Sequence, residues 1–218
     1  MARRLCVACV AFLAITCVAV AELPAIALAI VYDTSGSMRD PVRDVAGKGA
    51  PKYTIGNRAL LAVIDQLQEY SQRNQNQLSV GLVVFDDRSA REAFPFGKFD
   101  AGELRHWAKS FISPHGPTPL GPALQVAVDA LAKTNATQRH VLVITDGENT
   151  AGPDPVSVMR AVQEKKSDVA FHFVAFDVNA KAFSSIKELG ATVVSAADEK
   201  ELNKQLEFIL EEKILLEK

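Results

Sequence analysis

Residues 26–38 read IALAIVYDTSGSM. The first seven are apolar and uncharged, and the run stops at Asp33. An apolar stretch this short, followed by Asp, Ser and Gly, predicts a β-strand ending in a turn. Since every position is apolar, and not every second one, the strand needs cover on both faces. Working outward, LSVGLVVF (residues 78–85) and HVLVIT (140–145) repeat the pattern, and strands are also expected near 169–176 and 191–195. Helical spacing fills the gaps. Ala59, Val63, Leu67 and Tyr70 share one face, as do Leu120, Ala123, Leu124, Ala127, Val128 and Leu131. Shorter helices are expected near 104–112, 155–165 and 182–189. A last helix starts at Asp198, with Glu201 as its capping-box partner and Leu202, Leu206, Ile209 and Leu210 turned inward. Alternating strands and helices of this kind predict an open, mostly parallel, doubly wound α/β sheet with helices on both faces. Pro95 confines residues 91–96 to a short edge strand. Residues 38–52, with Pro41, Gly47, Gly49 and Pro51, read as an exposed loop.

The chain has 218 residues, 48% of them hydrophobic and 23% charged, with a formal net charge of −2. That composition excludes a disordered or low-complexity chain and suits one domain. The near-neutral balance leaves no footprint for nucleic acid. Arg3 and Arg4, an uncharged run over residues 5–21, and the small-residue exit Ala19-Val20-Ala21 form the three parts of a secretory signal peptide. The run is slightly short for a membrane span. Cleavage after Ala21 would remove all three cysteines, Cys6, Cys9 and Cys17, and shift the formal charge to −4 by loss of two arginines. The expected product is exported, periplasmic or secreted, with no disulfide and no stable membrane span.

Three short pieces carry the chemistry. Asp33-Thr34-Ser35-Gly36-Ser37 follows the first strand, Thr118-Pro119-Leu120 opens the strongest helix, and Thr145-Asp146-Gly147 follows the strand at 140–145. A parallel sheet delivers all three to its C-terminal edge, where open α/β folds hold ligands. Asp33 and Asp146 bring carboxylates; Ser35, Ser37 and Thr118 bring hydroxyls. This all-oxygen set suits a hard divalent cation. Two carboxylates balance its charge and leave a position for an incoming acid. Each piece also has a plainer reading: a turn, Thr118 as N-cap before a first-turn proline, and a strand-end Asp-Gly.

Together these motifs resemble the von Willebrand factor type A (VWA) family. Asp33-x-Ser35-x-Ser37, continuing into Met38, is similar to its Asp-x-Ser-x-Ser motif. Residues 116–120 look like its second ligand loop, and residues 143–147 like its third. The resemblance implies a six-stranded sheet with one short antiparallel edge strand. It also implies a metal-ion-dependent adhesion site, with Asp33, Ser35, Ser37, Thr118 and Asp146 as direct or water-mediated ligands. The expected ion is Mg²⁺, with Mn²⁺ or Ca²⁺ as alternatives, and the expected partner is a protein that contributes a carboxylate. The chain then divides into a signal peptide (1–21), the VWA domain (22–197) and a C-terminal helix packing on it (198–218), a bacterial exported type.

The leading reading is a binding module and not an enzyme. The alternative is a metal-dependent hydrolase such as a phosphatase using Asp33. Against it, Ser35 stands where such enzymes carry a second acid, and no Gly-x-Ser-x-Gly elbow, phosphate loop or general base accompanies the three pieces. A third reading is a domain with a vestigial site. His106, His140 and His172 show no metal-ligand spacing. Asp86 and Asp87 read as a solvated strand end, and Trp107 as a packing residue.

Overall fold

The computed structural model describes residues 25–74, 77–165 and 167–216, apart from the side chain of Asp86. The expected signal peptide and its three cysteines lie outside the described residues. In chain order the elements are β1 (Ile26–Tyr32), a 3₁₀ turn (Gly36–Arg39), β2 (Pro41–Arg43), β3 (Gly49–Pro51), α1 (Lys52–Arg73), β4 (Leu78–Asp86), β5 (Ser89–Lys98) and α2 (Ala101–Ser110). Then come α3 (Leu120–Leu131), β6 (Gln138–Thr145), α4 (Pro155–Glu164), β7 (Val169–Phe176), a 3₁₀ turn (Ala180–Phe183), α5 (Ser184–Glu188), β8 (Thr192–Ala196) and α6 (Glu199–Ile209), which runs into a π turn (Leu210–Ile214).

Six strands form one sheet in the order β5-β4-β1-β6-β7-β8, and only the β4–β5 pair is antiparallel. This is the expected doubly wound α/β fold. β1 lies at its centre, and all seven of its residues are buried. Its alternation splits the core: Ile26, Leu28, Ile30 and Tyr32 face α1, α2 and α6, while Ala27, Ala29 and Val31 face α3, α4 and α5. Alanines on both sides, Ala27 and Ala29 on β1 and Ala123 and Ala127 on α3, let that helix lie close to the sheet. On the other face Tyr32 is the large residue. Trp107 meets it edge-on at 5.5 Å and stacks on Phe111 at 5.1 Å, so this tryptophan does pack. Gly56 makes room within α1, because a Cβ there would sit 2.4 Å from the Tyr32 hydroxyl.

Three expectations need correction. The edge strand is ten residues long, not six. Pro95 is accommodated because β5 is an edge and because its register against β4 shifts around Leu82. Residues 38–52 are not simply a loop. β2 and β3 pair as a small hairpin, Met38 and Val42 are buried in the core, and Lys52 opens α1. Thr118 does not cap α3; the Gly121 N–H donates to Asn149 Oδ1 instead, at 3.1 Å.

At the C-terminal end, α6 begins at the Asp198 cap, whose side chain accepts from the Glu201 N–H. Glu201 reaches back to the Ala197 N–H, one residue upstream of a standard capping box. Leu202, Leu206, Ile209, Leu210 and Ile214 enter the same core as β1 and α1. Among the described residues no helix is long and apolar enough to cross a membrane.

Candidate functional site

The C-terminal ends of β1 and β6 are neighbours, so Asp33 and Asp146 emerge side by side. Asp33 is fully buried. Its Oδ1 accepts the Ser35 N–H at 2.7 Å and its Oδ2 accepts the Thr145 hydroxyl at 2.6 Å. Ser35 Oγ and Ser37 Oγ are 3.1 Å apart, and Ser37 Oγ donates to Asp146 Oδ1 at 2.8 Å. Four of the five candidate residues thus form one chain of polar contacts. Thr118 joins them through its loop. The Gly36 N–H donates to Gly116 O and the His115 N–H to Thr34 O, which ties the second piece to the first. Thr118 and Thr150 exchange two hydrogen bonds, which ties it to the third. The Thr118 hydroxyl oxygen would lie 3.7 Å from a Cβ placed at Gly147, next to Asp146.

The surrounding residues explain the precision. Thr34, the variable residue of the first motif, both donates to and accepts from the backbone of Phe85, pinning the loop to β4. Met38 anchors the other end in the core. Gly121 allows the loop after β6 to lie directly on α3, since a Cβ there would fall 1.9 Å from Pro153 O.

Electrostatics follow from burial. Desolvation, with the charge of Asp146 beside it, pushes the Asp33 carboxyl up to about 6, even though its hydrogen bonds to Ser35 and Thr145 favour the ionised form. The same burial, together with both carboxylates, raises the Tyr32 hydroxyl well above its ordinary value.

Lys52 and Asp177 escaped the sequence reading, and Thr145, though part of the third piece, was given no role there. Lys52 Nζ lies 3.0 Å from Asp146 Oδ2 and 3.0 Å from Asp177 Oδ2. Burial pulls its pKa down, but the hydrogen bonds and charges of Asp146 and Asp177 outweigh this and raise it overall. Asp177 had a legible signal, since it follows the apolar strand VAFHFVAF just as Asp33 and Asp146 follow theirs. His115 is exposed, and Asp87 sits in an exposed turn at positive φ.

Two carboxylates and three hydroxyls, without nitrogen or sulfur, fit a hard divalent cation. Among the described residues no group of three or more His, Cys, Asp or Glu is placed to hold a metal, so an ion here depends on the hydroxyls.

Residues 27–207 match the family model of the von Willebrand factor type A domain. The chain belongs to the VWA family. Among curated proteins, the uncharacterized protein YwmC of Bacillus subtilis (strain 168) is 25% identical over 158 residues; the alignment covers 69% of this chain and 66% of that protein, just under two thirds of its length. Among solved structures, a mutant of the PilB minor pilin from Streptococcus sanguinis superposes with a TM-score of 0.69 at 18% identity, covering 88% of this chain and 62% of that one. The vWF domain of the type V pili tip protein Mfa5 from Porphyromonas gingivalis gives 0.66 at 12%, covering 85% and 94%. The SpRpn10 VWA domain gives 0.62 at 16%, covering 84% and 94%. At these identities the likeness to the solved structures is one of VWA fold.

Proposed function

We propose that this chain is an exported, non-enzymatic binding module. In this reading Asp33, Ser35, Ser37, Thr118 and Asp146 hold Mg²⁺, or Mn²⁺ or Ca²⁺ in its place, some of them through water. The open coordination position takes an acidic side chain of a protein partner. The observation that carries the reading is the convergence of these five residues on one rim, with Ser37 bridging to Asp146 across 109 residues of sequence. A cation held mainly by neutral hydroxyls stays electrophilic enough to attract a further carboxylate. Family membership supports it, and so do the structural relatives whose names describe a minor pilin and a pili tip protein. The basic start, apolar run and small-residue exit of residues 1–21 support export.

The hydrolase alternative fares worse. Such an enzyme would need a second acid two residues after Asp33, where this chain has Ser35, and a general base, which none of the three pieces supplies.

Calorimetric titration of the full chain with Mg²⁺, beside Asp33→Ala, tests the metal. The expected result is binding by the wild type and at least a ~100-fold loss in the variant, since a charged ligand is removed outright. Equal affinity would sink the reading. A pull-down from the exported fraction with and without EDTA tests the partner, and recovery of the same protein under both conditions would refute metal-dependent capture.

A further inference from the structure

Lys52 is the first residue of α1, and its side chain is only 7% exposed. Its ammonium sits between a fully buried carboxylate, Asp146, and one that is 41% exposed, Asp177. Asp146 is engaged at both ends, by Ser37 at Oδ1 and by Lys52 at Oδ2. A buried ammonium in this position is costly unless paired, and here it is paired with a residue of the candidate metal set.

We propose that Lys52 is the built-in counter-cation of the metal site: it competes with the metal for Asp146, and Asp177 sets the strength of that competition by sharing the ammonium. The inference rests on the metal-binding reading above. Asp33, Asp146 and Asp177 against Lys52 leave two net negative charges in the cluster. A divalent cation brings the total to zero. Without the lysine, the loaded site would stay negative and repel an acidic partner. The lysine therefore gives up metal affinity in exchange for acceptance of a carboxylate. Since the side chains of Lys52 and Asp146 are both buried, repulsion between the ammonium and a divalent ion beside them is only weakly screened by salt.

Two substitutions move the metal in opposite directions. Lys52→Met keeps the apolar stem and removes the charge, so Mg²⁺ binds about tenfold tighter. Asp177→Asn leaves the ammonium wholly to Asp146 and removes one negative charge, so Mg²⁺ binds severalfold weaker. Titration calorimetry of the full chain at pH 7.5 reads both, and melting curves in EDTA establish that each variant is folded. Addition of Mg²⁺ should raise the melting temperature of Lys52→Met more than that of the wild type. Should Lys52→Met fail to fold, Asp177→Asn decides, because its side chain is half in solvent and its loss does not threaten the fold. A lysine with a purely structural role would lower stability in Lys52→Met without tightening Mg²⁺ binding; that result, or unchanged affinity in Asp177→Asn, overturns the proposal. A wild-type chain that takes up neither Mg²⁺ nor Mn²⁺ overturns the metal reading and this inference with it. A wild-type chain that binds Mg²⁺ while the variants do not diverge overturns this inference alone.

Discussion

The two ends of the central strands bury ionisable groups in contrasting ways. At the C-terminal rim, Asp33 and Asp146 are held by hydroxyls, a backbone N–H and the ammonium of Lys52. Toward the opposite end of the same sheet, His140 on β6 and His172 on β7 stack at 5.4 Å with Nδ1 and Nε2 3.1 Å apart. Their other ring nitrogens, His140 Nε2 and His172 Nδ1, are buried without a hydrogen-bond partner among the described residues. Burial keeps both rings neutral, His140 at about 4 and His172 at about 3, the latter also pushed down by His140 and Lys213. The rim concentrates charge and supplies a partner for it; the base suppresses charge.

The sharpest way to break the contrast is to disturb the backbone that builds the rim. Gly121→Ala drives a Cβ into the Pro153 carbonyl and should cost about 3 kcal/mol, a melting-temperature drop of roughly 10 °C in calorimetry. A near-neutral result would mean that the loop after β6 moves freely and that the rim is not rigidly formed.

Acid should next act on the two ends with opposite signs. The histidines bind protons more readily in the unfolded chain, so the stability they contribute above pH 6.5 is lost as pH falls toward 4, at up to about 1.4 kcal/mol per pH unit for each ring. Asp33, raised to about 6 in the metal-free fold, binds its proton more readily when folded, so its contribution is lost as pH rises through about 6. Urea unfolding in EDTA should show a net loss between pH 7 and 5. In a His140→Leu, His172→Leu double variant that loss should disappear or reverse. An unchanged acid response in the double variant would remove the base from the account.

A smaller effect lies on the flank. Glu199 is buried, takes two hydrogen bonds from Arg58 and accepts the Val45 N–H of the β2–β3 hairpin. The Arg58 hydrogen bond, then that from Val45, holds its carboxyl below the usual value against the opposing effect of burial. Since Arg58 is itself half-exposed, Glu199→Gln should cost only about 1 kcal/mol at pH 7. The difference from wild type should fade as pH falls below 4.5, through the folded value, where the native carboxylate is itself neutralised. Smallest of all, Asp177→Asn should change the metal-free melting temperature by less than about 2 °C, given the exposure of that side chain.

Much of this was legible in the sequence. β1, β4, β6 and β7 declare themselves by being apolar on both faces, and strand polarity then fixes which edge Asp33, Thr118 and Asp146 reach. The β2–β3 hairpin was not legible: three-residue strands rich in Pro and Gly, with Val42 as their one buried member, leave no periodicity to read. Lys52 was invisible because a lysine at a helix start is ordinarily solvated, and its partner Asp146 lies 94 residues away. The histidine pair was invisible for a related reason. Sheet register, with His140 opposite Ala170 and His172 opposite Leu142, puts two isolated residues in contact.

The outer strand β5 has a consequence for how other proteins can approach. Pro95 has no N–H to offer, and the Phe96 N–H is already taken by the Glu92 carboxylate at 2.8 Å. An extended peptide trying to zip onto that border would find its ladder interrupted around the register shift of β5 against β4. Lateral growth of the sheet by a foreign strand is thereby discouraged along this part of the border.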